Sequence, residues 1–311
     1  MTIPTPLTGV VPPVCTPLTP EGEVDVVSLL RLVDHLVEGG VHGLFVLGTT
    51  SEAAYLTDGQ RRVVVETVTA HVAGQLPVLA GAIDMTTPRV LEQVASVTAA
   101  GADAVVVISP FYTRTHPVEI ARHYRLVAAA SPVPVVAYDL PVAVHTKLPA
   151  DVVLELAAEG VLAGLKDSSG DLGAFREVIT GARTRDDITG FSVLTGSELI
   201  VDAALAAGAD GAVPGLANVD PEGYVRLDRL CRDGDWEGAR AEQERLSALF
   251  GMVRVGDPGR MGGSSSALGA FKAALYLRGV IACPVTAEPQ VGLSEGEVEG
   301  VGKYLAGAGL L

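Results

Sequence analysis

A single lysine is the residue of this sequence with the clearest potential for chemistry. Lys166 ends an apolar run at residues 162–166, in a chain that has only four lysines among 22 lysine and arginine residues. Where only positive charge is needed, the chain uses arginine, whose guanidinium stays protonated and is a poor nucleophile. A deprotonated lysine amine forms an imine with a ketone, and apolar surroundings favour the neutral amine. The pattern indicates a Schiff-base nucleophile, and an ion pair with Asp167 or a nearby glutamate is the alternative interpretation.

The elements that must position this lysine follow a regular order. Eight short β-rich runs alternate with longer helical stretches, at the spacing of one strand and one helix per unit. The predicted strands are residues 10–15, 43–47, 77–81, 104–108, 133–138, 162–166, 192–195 and 211–213. The predicted helices between them are residues 25–38, 57–73, 87–100, 117–130, 150–158, 172–180 and 199–207.

This alternation predicts an α/β fold, a closed (β/α)8 TIM barrel with a C-terminal helical extension. An open doubly wound sheet is the alternative, but such a sheet usually has a glycine-rich nucleotide-binding loop after the first strand. The sequence at that position is CTPLTPEGEVD, which is not such a loop. Beyond Pro221 only helical periodicity remains, with predicted helices at residues 221–232, 236–253, 267–278 and 294–305 and a Gly/Ser-rich break at 256–266. We therefore expect a catalytic barrel at residues 1–232 and a helical region at 233–311.

Barrel enzymes place their active sites at the carboxyl ends of the strands, so the residues at those ends are the candidates. Tyr138 ends the fifth strand, where a phenol can move protons, or can cap the barrel core. Thr49 and Thr50 offer hydroxyl and N–H groups to a carboxylate, or can form the N-cap of the next helix together with Ser51. Three further candidates for substrate hydroxyls, which could equally cap loops, are Ser197, Glu198 and Asn218.

Composition excludes several classes of function. The net charge of −15 is spread along the chain, which disfavours a nucleic-acid partner. The three cysteines lack a CxxC pair and the six histidines lack HxH or HExxH spacing, so we expect neither disulfides nor a metal site. No apolar run is long enough for a membrane span and no signal peptide is visible, so we expect a cytoplasmic protein.

Taken together, the strand ends resemble the dihydrodipicolinate synthase / N-acetylneuraminate lyase family of pyruvate-dependent aldolases. The resemblance covers nearly the whole chain, and its most specific motifs are GTTSE at 48–52, YDLP at 138–141 and GLKDSSGD at 164–171. It implies that Lys166 forms a Schiff base with a 2-oxo acid such as pyruvate, so that no other cofactor is needed, and that Tyr138 is the proton shuttle. It also implies that Thr49 and Thr50 bind the pyruvoyl carboxylate, with Thr49 aiding the relay, and that Tyr112 serves a neighbouring subunit in a homotetramer built from tight dimers.

The departures from the family pattern bear on the substrate. Family synthases carry an arginine five residues after the tyrosine, where this chain has Ala143, and sialic acid lyases match at Gly196 but have an acidic pair where this chain has Glu198-Leu199. Ser51 and Asp139 replace the usual glycine and asparagine. Ser51 adds a hydroxyl near the expected carboxylate pocket, and the resemblance places both Ser51 and Gly196 among the expected substrate-binding residues.

The pattern favours an aldolase that cleaves a 2-keto-3-deoxy sugar acid or a related 4-hydroxy-2-oxo acid to pyruvate and an aldehyde. The alternatives are 4-hydroxy-tetrahydrodipicolinate synthase, a dehydratase of keto-deoxy sugar acids, and a barrel that binds a 2-oxo acid as a sensor without turnover.

Overall fold

The fold is a ring of eight parallel strands with helices outside it, as the alternation of apolar runs predicts. The computed structural model describes residues 3–311. The strands β1–β8 are Gly9–Val10, Leu44–Val46, Val78–Gly81, Ala104–Ile108, Val135–Asp139, Gly164–Asp167, Ser192–Thr195 and Gly211–Ala212. They pair in the order β1-β8-β7-β6-β5-β4-β3-β2.

The ring closes between the segment after β1 and β2. Phe45 N–H donates to Pro12 O at 3.0 Å, and Val14 N–H donates to Phe45 O at 2.8 Å. Residues 11–15 of the predicted first strand thus take part in closure, although only Gly9–Val10 has regular strand pairing. Two prolines in this segment lack the N–H that a continuous ladder needs, which shortens the strand.

Helices α1–α9 surround the ring. They are Val26–Glu38, Asp58–Val72, Thr87–Ala99, Pro117–Ala130, Pro141–Val144, Ala150–Ala158, Leu172–Thr184, Val201–Ala206 and Pro221–Asp233. The short α5, Pro141–Val144, was not predicted: a proline at its first position fixes the helical φ, and it turns the chain directly after β5. A 3-10 turn, Gly215–Asn218, follows β8.

The C-terminal region packs onto the barrel. Its helices α10–α12 are Trp236–Phe250, Gly263–Leu277 and Glu295–Gly307, and a 3-10 turn at Gly251–Arg254 ends the first of them. Helix α11 begins four residues earlier than predicted, inside the Gly/Ser-rich stretch. One hydrophobic core runs from the barrel into these helices and includes Leu246, Phe271 and Leu305. No helix within residues 3–311 is long and apolar enough to cross a membrane.

A buried ion pair joins the two regions. Lys272 of α11 pairs with Glu52 of the loop after β2, and both side chains are at most 1% exposed. Glu52 Oε1 also accepts hydrogen bonds from Ala287 N–H at 2.7 Å and from Gln290 Nε2 at 2.9 Å. The C-terminal region is therefore fixed to a loop that ends at the mouth of the barrel.

We predict that Lys272→Met lowers the free energy of unfolding by about 3–5 kcal/mol, because it leaves the Glu52 carboxylate buried without its cation. Denaturant unfolding at neutral pH measures the change. Lys303→Met is the matched control, since Lys303 is exposed on α12, and it should change stability by no more than about 0.5 kcal/mol. Equal losses in the two variants would contradict the prediction.

Candidate active site

Tyr138 and Lys166 occupy the same level inside the barrel. Tyr138 is in register with Ile108 on one side and with Lys166 on the other, and Lys166 is in register with Leu194. Tyr138, Ile108 and Leu194 belong to the hydrophobic cluster that fills the barrel interior. Since alternate strand residues point to opposite faces, this level is the last inward-facing layer before the strands end.

The amine of Lys166 rests against two aromatic rings. Its Nζ lies 4.1 Å from the ring centroid of Tyr138 and 4.8 Å from that of Phe45, and the residue is 5% exposed. The two rings meet edge to face, with centroids 6.5 Å apart. The amine is therefore held by packing against aromatic ring faces inside the barrel mouth.

The alternative in which Lys166 pairs with Asp167 is not the arrangement observed. Asp167 follows Lys166 on the strand and points to the opposite face, where its Oδ1 accepts hydrogen bonds from Ser169 N at 2.8 Å and from Ser169 Oγ at 2.7 Å. None of the ion pairs among residues 3–311 includes Lys166. The amine is thus held in place by packing and leaves its nitrogen free of a carboxylate partner.

Gly196 packs against the side chains of Ser168 and Lys166. It follows β7, and its N–H donates to Asp167 O at 2.7 Å. A Cβ at this position would overlap Ser168 Oγ and would lie 3.0 Å from Lys166 Cε. Gly196 was predicted to bind substrate, and the structure places it beside Lys166.

The GTTSE loop after β2 is a series of turns. The helix that follows begins at Asp58 with Thr57 as its N-cap, so the alternative of an N-cap at Thr50 or Ser51 is wrong. Thr49 is exposed and Thr50 is half-buried. Ser51 is fully buried, and its hydroxyl accepts from Gly48 N–H at 3.1 Å. The two threonines therefore remain candidates for binding a substrate carboxylate. Ser51 instead stabilises the turn through its buried hydrogen bond to Gly48 N–H.

A second polar group lies at the ends of β7 and β8. Glu198 Oε1 accepts from Gly215 N–H at 2.8 Å, and a Cβ on Gly215 would lie 3.2 Å from both Glu198 Oε1 and Thr50 Oγ1. Burial raises the pKa of Glu198, and backbone N–H groups and the charge of Lys166 only partly offset it. Ser197, half-buried in the same loop, donates its N–H to Thr195 Oγ1 at 3.2 Å. Glu198 and Thr50 thus flank one backbone turn.

Asn218 belongs to the framework of the site. It is fully buried, and its Oδ1 accepts from Cys15 N–H at 2.9 Å. Its Nδ2 donates to Pro13 O and to Gly215 O, both at 2.8 Å. Because both amide protons are used by backbone carbonyls, we correct its expected role from binding substrate hydroxyls to tying the turn after β8 to the segment after β1.

Tyr112 points away from the barrel of its own chain. It lies in the loop after β4, is 90% exposed and has a φ of 71°. This left-handed conformation is uncommon for a bulky residue. The structure of the single chain therefore leaves its ring outside the candidate site.

A cavity of about 270 Å³ opens at the carboxyl ends of β2–β5. Ala143 lies in its wall, next to Leu140 and Val144. A Cβ on Gly48, another wall residue, would lie 2.6 Å from Phe45 Cε1. Gly48 of the cavity wall therefore packs against the same Phe45 ring on which the amine of Lys166 rests.

Asp139 and Asp167 are paired in register on β5 and β6, behind the layer that holds Tyr138 and Lys166, and Lys147 bridges them. Lys147 Nζ forms an ion pair with Asp139 and lies 3.5 Å from Asp167 Oδ2. Burial raises the pKa of Asp139, and Lys147 only partly offsets it. Burial alone would lower the pKa of Lys147, but its contacts with the two aspartates outweigh that effect and raise it. This triad fixes the ends of the strands that carry Tyr138 and Lys166.

Four residues around this site were not predicted from the sequence. Phe45 could have been found, since alternation within its strand turns it toward the barrel interior. Lys147 offered no local signal, because its pairing with Asp139 depends on the path of α5. Ser264 and Leu268 of α11 also line the cavity and come from a region predicted only as helical.

Comparison with known proteins identifies the relatives of this chain. The model of the dihydrodipicolinate synthetase family matches residues 6–307. An uncharacterized DapA-like lyase of Halobacterium salinarum is 34% identical over 305 residues, which cover 98% of this chain and 95% of the relative.

Solved structures agree with this relationship. Dihydrodipicolinate synthase from Bacteroides thetaiotaomicron superposes with a TM-score of 0.90 at 32% identity, covering 98% of this chain and 99% of that one. YagE, a prophage protein of the dihydrodipicolinic acid synthase family from E. coli K12 solved in complex with pyruvate, superposes with a TM-score of 0.89 at 28% identity, covering 98% and 99%.

We predict that Gly196→Ala lowers the rate of imine formation with pyruvate by at least about tenfold, because the added methyl displaces Ser168 or Lys166. Borohydride reduction followed by mass spectrometry measures the trapped adduct over time. Gly296→Ala makes the same change on exposed α12, where a Cβ meets no atom within 4 Å, and should trap pyruvate at the normal rate. Normal trapping in Gly196→Ala would contradict the assigned geometry.

We predict that Lys147→Met lowers the free energy of unfolding at pH 8 by about 2 kcal/mol, since the lysine is partly exposed but Asp139 is not. Asp139→Asn/Lys147→Met should recover at least half of the loss, because the buried group is then neutral. Denaturant unfolding at pH 5 and pH 8 measures both variants.

The pH dependence of the Lys147→Met variant has a definite sign. The folded pKa of Asp139 is already raised by burial, so without the lysine the folded protein binds more protons than the unfolded chain above pH 5. Its stability deficit relative to the unmodified protein should therefore shrink as the pH falls from 8 to 5. A double variant as unstable as Lys147→Met at both pH values would show that Asp139 and Lys147 are not coupled.

Proposed function

This chain belongs to the dihydrodipicolinate synthetase family of lyases, and we propose that it is a Schiff-base aldolase that cleaves 4-hydroxy-2-oxo acids, a class that includes 2-keto-3-deoxy sugar acids, to pyruvate and an aldehyde. The observation that carries the proposal is the amine of Lys166, buried on the rings of Phe45 and Tyr138 with no carboxylate paired to it. A lysine serving only as a structural cation would have such a partner, as Lys272 has in Glu52.

The reaction follows from this placement. The amine of Lys166 attacks the C2 ketone and water leaves, which gives a protonated imine. The C3–C4 bond then breaks, its electron pair moves into the imine to give an enamine, and the C4 hydroxyl loses its proton as the aldehyde forms. Protonation of C3 and hydrolysis of the imine release pyruvate and restore the free amine. Lys166 supplies the electron sink itself.

Tyr138 is the proposed acid–base group. Its ring lies against the amine of Lys166, so the phenol is held beside the atoms that change protonation. In the proposal it takes the C4 hydroxyl proton, and Thr49 at the end of β2 takes part in the relay that returns a proton to C3. Thr50, with Gly196 and Ser197 nearby at the end of β7, is proposed to hold the pyruvoyl carboxylate.

The cavity wall favours an aldolase over a synthase that condenses pyruvate with aspartate semialdehyde. Such a synthase must bind the carboxylate of its second substrate, and an arginine serves this purpose in the family pattern. Here Ala143 stands in the wall, and the lining residues within 3–311 include neither arginine nor lysine. A carboxylate placed there would find no cation in the wall.

We also propose a homotetramer built from tight dimers. The support is the exposure of Tyr112 at 90%, together with exposed Val142 and Val118 on the neighbouring segments after β5 and at the start of α4. Large apolar side chains exposed together are typical of subunit contacts. In that assembly Tyr112 would extend to the site of the neighbouring subunit.

Borohydride reduction in the presence of pyruvate tests the Schiff base. We expect one mass addition on the tryptic peptide that contains Lys166, absent in Lys166→Ala and retained in Lys303→Ala. Tyr138→Phe should still trap pyruvate but should cleave substrate about 10² to 10⁴ times more slowly, whereas Tyr276→Phe on exposed α11 should be unaffected.

Two results would count against the proposal. No adduct with the unmodified protein would remove the imine. An adduct without pyruvate release from any 4-hydroxy-2-oxo acid would leave a binding barrel of the sensor type. Rapid turnover of aspartate semialdehyde with pyruvate would instead favour the synthase.

A further inference from the structure

The cavity at the ends of β2–β5 has a predominantly apolar wall. Six side chains on the ends of three neighbouring strands form most of it: Ile83, Ile108, Phe111, Leu140, Ala143 and Val144. On the other side Leu268 of α11 closes it. The wall therefore resembles a site for hydrocarbon more than a site for several hydroxyl groups.

The polar groups of the wall are few, and the most deeply buried one is already paired. Glu52 is bound by Lys272, Ala287 N–H and Gln290 Nε2. Thr49 and Ser264 are exposed at the rim, and Tyr55 is 41% exposed. The hydroxyl groups of the wall that could bind a ligand therefore belong to exposed residues.

The cavity reaches the strand level of Tyr138, because Ile108 of its wall is in register with Tyr138. In the proposed reaction the C4 hydroxyl lies at Tyr138, so the substituent on C4 would enter the cavity at the end of β5, where Leu140, Ala143 and Val144 lie. The polar group made by Thr50, Ser197 and Glu198 lies instead beside β7 and β8. The site is therefore polar where the pyruvoyl half is proposed to bind and apolar where the other half would go.

The volume of the cavity sets the size of group that fits, and the cost of removing hydroxyls from water favours an apolar one. A cavity of about 150 Å³ is enough for a benzene ring, so about 270 Å³ admits a phenyl group or a branched alkyl chain. A hydroxyl buried here without a partner loses its hydrogen bonds to water, whereas an alkyl or aryl group is favoured in proportion to the area that it removes from water.

We propose that the aldehyde released by this enzyme is an apolar alkyl or aryl aldehyde, and that Leu140, Ala143 and Val144 determine this specificity. The inference rests on the proposed aldolase function. The reaction stays the same: C3–C4 breaks, the C4 hydroxyl proton passes to Tyr138, and C4 leaves as the carbonyl carbon of the aldehyde. The substituent on that carbon is the part that the cavity selects.

Cleavage of two substrates tests the specificity. We expect kcat/KM for 4-hydroxy-2-oxo-4-phenylbutanoate to exceed that for 2-keto-3-deoxygluconate by about 100-fold, because each buried hydroxyl of the sugar acid would be left without a partner. A preference for the sugar acid, or equal values, would overturn the inference.

A pair of matched variants ties the preference to the wall. Val144→Thr places a hydroxyl in the cavity without changing its shape, and Val27→Thr makes the same change on α1 at a position that is 66% exposed and outside the wall. Val144→Thr should lower the preference for the phenyl substrate by about tenfold, and Val27→Thr should leave it unchanged. Ala143→Ser tests the same wall at a position that is more exposed than Val144.

Pyruvate trapping separates the two proposals. If the unmodified protein and Val144→Thr both trap pyruvate on Lys166 at equal rates, the barrel and its nucleophile are intact, and a change in substrate preference reports on the wall alone. A trapped imine with preferred cleavage of the sugar acid overturns only the apolar specificity. Absence of the imine overturns the aldolase function itself.

Discussion

The structure depends on how one amine is held inside a parallel barrel. Lys166 lies between the rings of Phe45 and Tyr138, and the acid next to it in sequence points to the opposite face of the sheet. Strand alternation alone separates them, because successive side chains of a strand point to opposite faces. The proposed attack on a ketone requires an amine that no carboxylate holds.

Charges that might have reached this amine are satisfied elsewhere. Asp139 and Asp167 are held by Lys147 behind the sheet, and Glu52 is held by Lys272 beneath the C-terminal helices. Asp139 and Asp167 directly follow Tyr138 and Lys166 in the sequence. Glu52 lies in the same loop as Thr49 and Thr50. Pairing these buried acids with lysines keeps the strand ends in place.

Polar and apolar side chains lie on different sides of the Lys166 amine. Thr50, Ser197 and Glu198 gather at one side, next to the backbone N–H of Gly215, while the cavity wall on the other side is mostly aliphatic and aromatic. Ala143 in that wall leaves room where a longer charged side chain would project. The helix α11, which also carries Lys272, completes the wall with Leu268, so the C-terminal extension shapes the site that it is anchored to.

Local patterns in the sequence were enough to predict the barrel, most helix and strand bounds to within a few residues, and the strand ends at which Lys166, Tyr138 and the GTTSE loop lie. These follow from local periodicity and from the rule that parallel strands share one edge. Three features became visible only in the folded chain: Asn218 ties backbone segments together, Lys147 bridges two aspartates, and α11 forms part of the cavity wall. Those contacts join residues far apart in the chain, and their partners are set by packing geometry that no local pattern encodes.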